Sequence, residues 1–434
     1  MKAIDLTNII PYADKKLVTV CRLSFTKKAL NSLQKIFLLL LFLSINFFPQ
    51  SRFTLGNENL IRNHKNLVEN KKVALLINNA SLLQNKTPLL DTLLKQKIDI
   101  VRIFTPEHGF ALNEAPGEVV NNSVTANSIP VISIYGKKKA PTQTDLQNVD
   151  VVIYDIPDVG ARFYTYISSL KLTMKAVARA KVKIIVLDRP NPQNGEKIEG
   201  EILKPGFSSF VGISPIPILY GLTVGELAKL FKDEILNKDN LNVDLTVIPM
   251  LNYDRTRFYN YYFPNWVVTS PNIRTFQAAL LYPGLCFLEA TNISEGRGTE
   301  LPFTQFGAPF INPDLLLPTL VKEFKNLKFT RIKFIPSGSP KYSIKYAGKL
   351  CSGLKVKILD NNFNSVWFGI RLLKILKEKY PDKVKIKYGW LNKLYGNDDL
   401  EKYLENEITE KKLVEILQKN RAKFRKIRSK YLIY

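Results

Sequence analysis

The sequence has 434 residues, of which 45% are hydrophobic and 23% are charged, as in a globular protein that can bury a core. Lys and Arg outnumber Asp and Glu by 63 to 38, and the net charge of +25 favours an anionic partner unless it reflects only a lysine-rich composition. The 3 cysteines and 2 histidines exclude a disulfide scaffold and disfavour a Cys/His zinc site. The sequence shows no zinc-knuckle, helix-turn-helix or aromatic RNA-binding motif, so nucleic acid is not an expected partner.

Residues 1–52 are predicted to be an N-terminal basic segment followed by a signal or anchor sequence. The basic stretch "KKALNSLQK" leads into "IFLLLLFLSINFF", residues 36–48. This apolar run is shorter than the ~20 residues of a membrane span and matches a signal peptide's apolar region. No A-x-A cleavage motif follows, so both a cleaved signal and a membrane anchor through residues 36–48 fit, and a buried helix is the alternative. We expect export to the periplasm or cell envelope.

Residues 53–285 are predicted to form a Rossmann-like α/β domain. Apolar stretches with the character of strands alternate with amphipathic helices, and Thr223 and Glu226 fit a capping box at the start of one helix. This alternation predicts a parallel sheet with helices on both faces. The predicted strands lie within 71–80, 98–104, 129–136, 149–157, 182–190 and 243–250, and the helices within 88–96, 166–180 and 222–235.

Residues 286–434 are predicted to form a smaller α+β auxiliary domain. Two strands are expected within 327–336 and 351–360, and two helices within 368–380 and 413–430. The stretch "RAKFRKIRSK" near the end is strongly basic, which is more typical of a solvated helix face than of a binding site.

Polar clusters follow four of the predicted parallel strands. They are Glu107-His108-Gly109, Tyr135-Gly136, residues 155–162 ("DIPDVGAR") and residues 188–191 ("DRPN"). Ligands of open parallel sheets bind beyond the carboxyl ends of the strands, so four clusters on one edge predict a site. No GxGxxG, GxxxxGK[ST] or GxSxG motif accompanies them, which disfavours nucleotide binding and an α/β-hydrolase.

Carboxylates and arginines dominate the candidate chemistry. Paired carboxylates are the working groups of glycoside hydrolysis, and arginine holds anionic groups with a bidentate fork. The carboxylates are Glu107, Glu118, Asp155, Asp158, Asp188, Glu289 and Glu295, and the arginines are Arg162, Arg189 and Arg297.

Each of these candidates has a structural alternative. Glu107 would also fit the role of a helix cap, and His108 would fit a histidine buried in the core. Asp188 and Arg189 would fit a structural ion pair. Residues 291–303 would fit a crossover between domains as well as a ligand loop. Phe163, Tyr164 and Trp266 would fit sugar-stacking platforms or the core.

A set of longer motifs resembles the exo-β-N-acetylmuramidase family, formerly a domain of unknown function. The resemblance extends from about residue 72 to residue 434. The motifs are "TPEHGF", "PVISIYGKKKAPT", "DVVIYDIPDVGARFYTYI", "VLDRPNP", "FVGISPIPILYGLTVGELA", "PNWVVTSPN", "LLYPG", "TNISEGRGTELPF" and "LNKLYG".

The resemblance implies a glycosidase with its cleft between two domains, and we expect it to use neither a cofactor nor a metal. The expected substrate is a peptidoglycan fragment such as MurNAc-GlcNAc, from whose non-reducing end N-acetylmuramic acid is released.

Glu107 matches the family's proposed catalytic glutamate, and we expect His108 to orient it. Glu295, or otherwise Asp188, is predicted to be the second catalytic carboxylate. We expect Arg162 or Arg189 to bind the lactyl carboxylate and Asn191 the sugar hydroxyls. Other substrate-binding residues are predicted to be Asp155, Asp158, Tyr164, Asn292 and Arg297.

Three positions depart from the family pattern. Pro157 stands where glutamine is usual, residues 220–223 read Tyr-Gly-Leu-Thr instead of His-Gly-Met-Thr, and Ala290 replaces a glycine. These departures leave a catalytically degenerate peptidoglycan-binding protein as the main alternative. A Rossmann-type sugar-nucleotide transferase is the second, although the missing phosphate loop argues against it.

Overall fold

The larger of two sheets has seven strands among the residues that the structure, a computed structural model, describes: 52–112, 122–125, 127–339 and 343–434. Its spatial order is β3-β4-β2-β1-β5-β6-β7, and all neighbours are parallel except β3 with β4. The strands are β1 (Lys72–Leu76), β2 (Asp99–Thr105), β3 (Ser123–Val124), β4 (Pro130–Ser133), β5 (Val151–Tyr154), β6 (Lys183–Leu187) and β7 (Leu245–Ile248). The α/β class and the parallel sheet predicted from the sequence are confirmed.

The parallel strands are covered on both faces because successive residues point to opposite sides. In β5, Val152 and Tyr154 join one buried cluster, whereas Val151 and Ile153 join the cluster on the other face. The helices of this part are α1 (Gly56–Asn63), α2 (Leu89–Lys95), α3 (Tyr166–Ala180), α4 (Val224–Asp239), α5 (Tyr259–Tyr262) and α6 (Phe276–Leu285).

The predicted capping box starts α4. The Thr223 hydroxyl accepts a hydrogen bond from the Glu226 amide at 3.3 Å, and the Glu226 carboxylate accepts one from the Thr223 amide at 3.0 Å. Two orphan amides of the first turn are thereby satisfied.

The smaller sheet is antiparallel, with the order β8-β10-β9. Its strands are β8 (Gln305–Ala308), β9 (Leu327–Phe334) and β10 (Cys351–Ile358). The helices around it are α7 (Pro313–Glu323), α8 (Ser365–Lys379), α9 (Tyr388–Tyr395), α10 (Asp399–Leu404) and α11 (Glu410–Arg428). The smaller α+β part is thus confirmed.

One buried cluster continues from Val152 under the parallel sheet to Leu354 in the antiparallel sheet. Residues 53–434 pack as one compact unit, and the boundary at 285/286 stays a prediction. The predicted signal or anchor, residues 36–48, lies outside the described residues. Within those residues, no helix combines the length and apolar character that crossing a bilayer requires.

Candidate active site

A cleft of about 420 Å³ lies beyond the carboxyl ends of β2 and β4. Its lining comes from the loops that follow β2, β4, β5 and β6, from residues 270–303 and from α9. The residues that line it are Glu107, His108, Tyr135, Lys139, Phe163, Tyr164, Thr165, Ser209, Phe210, Val211, Ser270, Asn272, Ile273, Tyr282, Glu289, Arg297, Phe303, Trp390 and Lys393.

Glu107 reaches the cleft because β2 ends at Thr105 and the chain turns immediately afterwards. The Gly109 amide donates to the Pro106 carbonyl at 3.2 Å, and His108 and Gly109 have φ of 72° and 71°. A non-glycine residue in this left-handed region is uncommon and is held there by its surroundings. The Glu107 side chain is buried and accepts a hydrogen bond from the Thr165 hydroxyl, just before α3. The carboxyl group is therefore fixed at the wall of the cleft.

Two further lining residues, Glu289 and Arg297, belong to a chain of alternating charges. Arg297 lies 2.7 Å from Glu289 and 3.6 Å from Glu295, and Lys345 lies 2.9 Å from Glu295. Burial raises the pKa of Glu289, and Arg297 opposes this shift only in part. Burial would also raise the pKa of Glu295, but Lys345 and Arg297 together lower it. The pKa values of the two neighbouring glutamates are thus shifted in opposite directions, upward for Glu289 and downward for Glu295.

The loop that carries Arg297 depends on its two flanking glycines. Gly296 and Gly298 have φ of 83° and 79°, in the region that glycine tolerates best. A Cβ on them would lie 2.7 Å from the Leu301 carbonyl and 2.6 Å from the Ser337 carbonyl. The sequence pattern Gly-Arg-Gly therefore fixes a tight loop that aims the guanidinium at Glu289.

Four of the predicted site residues line the cleft: Glu107, His108, Tyr164 and Arg297. Glu295 lies directly behind Arg297 and is buried. Phe163, proposed as a stacking platform, also lines the cleft, whereas Trp266 lines a second, smaller pocket of about 130 Å³ together with Pro157, Asp158 and Arg189.

The two arginines predicted to bind the lactyl carboxylate have partners within the protein. Arg162 is completely buried and donates four hydrogen bonds of 2.6 to 2.8 Å to backbone carbonyls. The acceptors are Glu201, Ile216, Leu394 and Tyr395. Arg189 lies 2.5 and 2.8 Å from the two oxygens of buried Asp155. The placement of both arginines, and of Asp155, argues for structural roles.

Asp188 is also a structural group, but its partner is not the Arg189 side chain. Its two oxygens accept four hydrogen bonds of 2.7 to 2.9 Å, and the residue is fully buried away from the cleft. The donors are the amides of Arg189 and Gly225 and the hydroxyls of Thr223 and Tyr434. This placement argues against Asp188 as the second catalytic carboxylate.

Three further predicted substrate-binding residues hold loops together instead of lining the cleft. Buried Asp158 accepts from Tyr220 and from the Gly160 amide, and burial raises the pKa of Asp158 to about 6. Asn191 bonds the Leu222 carbonyl and the Gln193 amide, each at 2.9 Å. Asn292 bonds the Lys383 carbonyl at 2.8 Å and the Lys385 amide at 2.9 Å.

The three departures from the family pattern do not line the cleft. Pro157 borders the smaller pocket, Tyr220 holds Asp158, and Ala290 is buried at the end of a short 3₁₀ helix, Cys286–Ala290. Their placement gives no reason for a loss of chemistry at Glu107.

Lys139 and Lys393 are cleft residues that the sequence did not single out. Glu289 appeared only as one of seven carboxylates. Three consecutive lysines, residues 137–139, look equivalent in sequence, and only the fold distinguishes them. Within the described part of the chain, no group of three or more His, Cys, Asp or Glu side chains could hold a metal ion.

Comparison with known proteins covers nearly all of the described chain. Residues 73–277 match the family model described as the N-terminal part of the exo-β-N-acetylmuramidase NamZ, and residues 280–434 match its C-terminal part. The peptidoglycan β-N-acetylmuramidase NamZ of Bacillus subtilis (strain 168) is 36% identical over 384 residues, which are 87% of this chain and 91% of that protein.

Two solved structures are also similar, both of DUF1343 family proteins from Bacteroides fragilis NCTC 9343. The first is 28% identical with a TM-score of 0.79, covering 89% of this chain and 100% of the other. The second is 29% identical with a TM-score of 0.70, covering 88% of this chain and 99% of the other.

Proposed function

The chain belongs to the exo-β-N-acetylmuramidase family, and we propose that it is a glycoside hydrolase that releases N-acetylmuramic acid from the non-reducing end of peptidoglycan fragments. It would hydrolyse an O-glycosidic bond, such as that of MurNAc-GlcNAc, during cell-wall turnover or recycling. The observation that carries the proposal is a pair of carboxylates, Glu107 and Glu289, on the walls of one cleft.

Glu107 is proposed as the general acid. It would donate a proton to the glycosidic oxygen while the bond to the anomeric carbon breaks. Its burial and the hydrogen bond from Thr165 support this role, since both hold the carboxyl group in one orientation. His108 follows in the same turn and would fix the backbone that presents it.

Glu289 is proposed as the second carboxylate, in preference to Glu295 and Asp188. It lines the cleft, whereas Asp188 is buried elsewhere and Glu295 is held behind Arg297 by Lys345. Glu289 would act as base or nucleophile on the other face of the sugar. Glu295 would act indirectly, by orienting Arg297.

The proposal is tested by expressing residues 53–434 and incubating them with MurNAc-GlcNAc. Free N-acetylmuramic acid, followed by mass spectrometry, is the expected product, and Glu107→Gln should reduce its release by ~10²-fold or more. Glu407→Gln, at an exposed glutamate that does not line the cleft, is the matched control and should act like the wild type. Binding of the disaccharide with no release by the wild type would instead favour a degenerate binding protein.

We further propose that the protein is exported to the cell envelope. The basic stretch before residues 36–48 and the location of peptidoglycan outside the cytoplasm support this. Residues 1–52 fused to alkaline phosphatase lacking its own signal should give activity in a bacterial host. Leu39→Arg with Leu41→Arg, which interrupts the apolar run, should abolish it. Equal activity of the two fusions would contradict export through this segment.

A further inference from the structure

Three consecutive lysines after β4 have different surroundings. Lys137 is exposed, and Lys138 forms an ion pair with Asp145 at 2.8 Å. Lys139 alone turns into the cleft and lines its wall next to Tyr135 and Phe210. The sequence therefore offers three similar cations, but the fold presents only one of them to a bound sugar.

The Lys139 ammonium lies between two aromatic rings. Its Nζ is 4.2 Å from the centroid of Tyr135 and 4.2 Å from that of Phe210, and the two centroids are 5.7 Å apart. Ring faces attract a cation electrostatically and hold it in place. Partial burial lowers the pKa of Lys139, and the nearby charge of Glu107 opposes that shift. The cation is thus fixed, partly shielded from water and close to the proposed acid.

No described carboxylate forms an ion pair with Lys139, which sets it apart from the candidate arginines Arg189 and Arg297. Arg162 and Arg189 are bonded within the protein, and Arg297 pairs with Glu289. Lys393 also lines the cleft but is exposed, so water and salt screen its charge. A substrate anion would gain most at Lys139.

We infer that Lys139 binds the carboxylate of the substrate's 3-O-lactyl group and so determines the preference for N-acetylmuramic acid over N-acetylglucosamine. The inference rests on the proposed function, because it assumes a muramyl residue in this cleft. N-acetylglucosamine lacks the lactyl group, so only the muramyl sugar would form this charge-assisted contact.

The test compares two chromogenic substrates, 4-nitrophenyl β-N-acetylmuraminide and its lactyl methyl ester, which has nearly the same shape but no charge. Lys139→Met should lower kcat/KM for the acid by about 10- to 100-fold while changing that for the ester by less than about 3-fold. Lys139→Arg should restore most of the preference for the acid. Lys137→Met is the matched control and should leave the ratio of the two substrates unchanged. Because kcat/KM for the acid is divided by kcat/KM for the ester within each variant, a partial loss of folded protein lowers both values equally and leaves the ratio unchanged.

An unchanged acid-to-ester ratio in Lys139→Met would overturn the assignment and leave the glycosidase proposal standing. If the wild type cleaves neither substrate, the glycosidase proposal fails, and calorimetric binding of free N-acetylmuramic acid decides the Lys139 assignment by itself. Binding that weakens at least about 10-fold in Lys139→Met but not in Lys137→Met supports the assignment, and equal binding by both overturns it.

Discussion

At the scale of single residues, the charges around Arg297 give two neighbouring glutamates different properties. Burial raises the pKa of Glu289, whereas Lys345 and Arg297 outweigh burial at Glu295 and lower its pKa. Carboxylates whose environments separate their pKa values commonly take different catalytic roles. Glu295 thereby becomes a fixed negative charge that holds Arg297 and influences Glu289.

The pH profile of the enzyme should respond to this arrangement. The negative charge of Glu295 helps to raise the pKa of Glu289, so Glu295→Gln should lower the pKa of Glu289. The same change leaves Arg297 with Glu289 as its carboxylate partner, which lowers the pKa of Glu289 further. If Glu289 must be ionised, activity falls as pH drops through its pKa. Glu295→Gln should therefore shift the acidic limb of kcat/KM to lower pH.

The control for this experiment is Glu300→Gln, a change of the same type at an exposed position of the same loop. It should leave the acidic limb in place. A limb that stays fixed or moves to higher pH in Glu295→Gln would mean that Glu289 does not set it.

At the scale of helices and strands, regular alternation made the parallel sheet predictable, but irregular elements were missed. The sequence did not predict α6, whose residues 278–285 are all buried and include Pro283. A helix buried all round has no amphipathic period to detect. Its Gly284 faces Gly369 of α8, and a Cβ on Gly284 would lie 2.1 Å from the Ser365 carbonyl. This helix contact depends on the absence of side chains, which periodicity does not reveal.

The candidate site was predictable only to the extent that it follows from strand ends. Glu107 lies just after a strand, so its position at the sheet edge followed from the pattern. Arg162 has the same kind of position, but its acceptors include Leu394, which is 232 residues away. Local sequence cannot distinguish a side chain that stays available to a substrate from one whose hydrogen bonds go to carbonyls distant in the sequence. For the same reason the sequence did not single out Lys139, which the fold places in the cleft.

At the scale of the whole molecule, the C-terminal end of the sequence packs back against the parallel sheet. The Tyr434 hydroxyl donates to Asp188 at 2.7 Å and accepts from the Met250 amide at 2.8 Å, while the Ile433 amide donates to Glu226 at 2.9 Å. Asp188 follows β6 and Glu226 lies in the first turn of α4. These bonds join the chain's last residues to the sheet that carries Glu107.

The contribution of this contact to stability should depend on pH. Burial raises the pKa of Asp188 to about 6, and the Tyr434 hydroxyl counteracts burial by stabilising the ionised form. An aspartate whose folded pKa lies above its unfolded value of ~3.9 contributes less stability as pH rises from ~4 through ~6. Above that window Asp188 is charged and needs its donors most. Tyr434→Phe should therefore lower the free energy of unfolding by ~1–3 kcal/mol at pH 7 and by less at pH 5.

Urea unfolding of Tyr434→Phe and Tyr431→Phe at both pH values separates this effect from the loss of any tyrosine hydroxyl. Tyr431 donates to Asp233 at 3.0 Å in an exposed pair, so its loss should cost less than ~0.5 kcal/mol. If the two variants unfold alike at pH 7, the Tyr434 hydroxyl does not stabilise charged Asp188. If Tyr434→Phe alone is destabilised, and more at pH 7 than at pH 5, the end of the chain stabilises the strand end at β6 through that one hydroxyl.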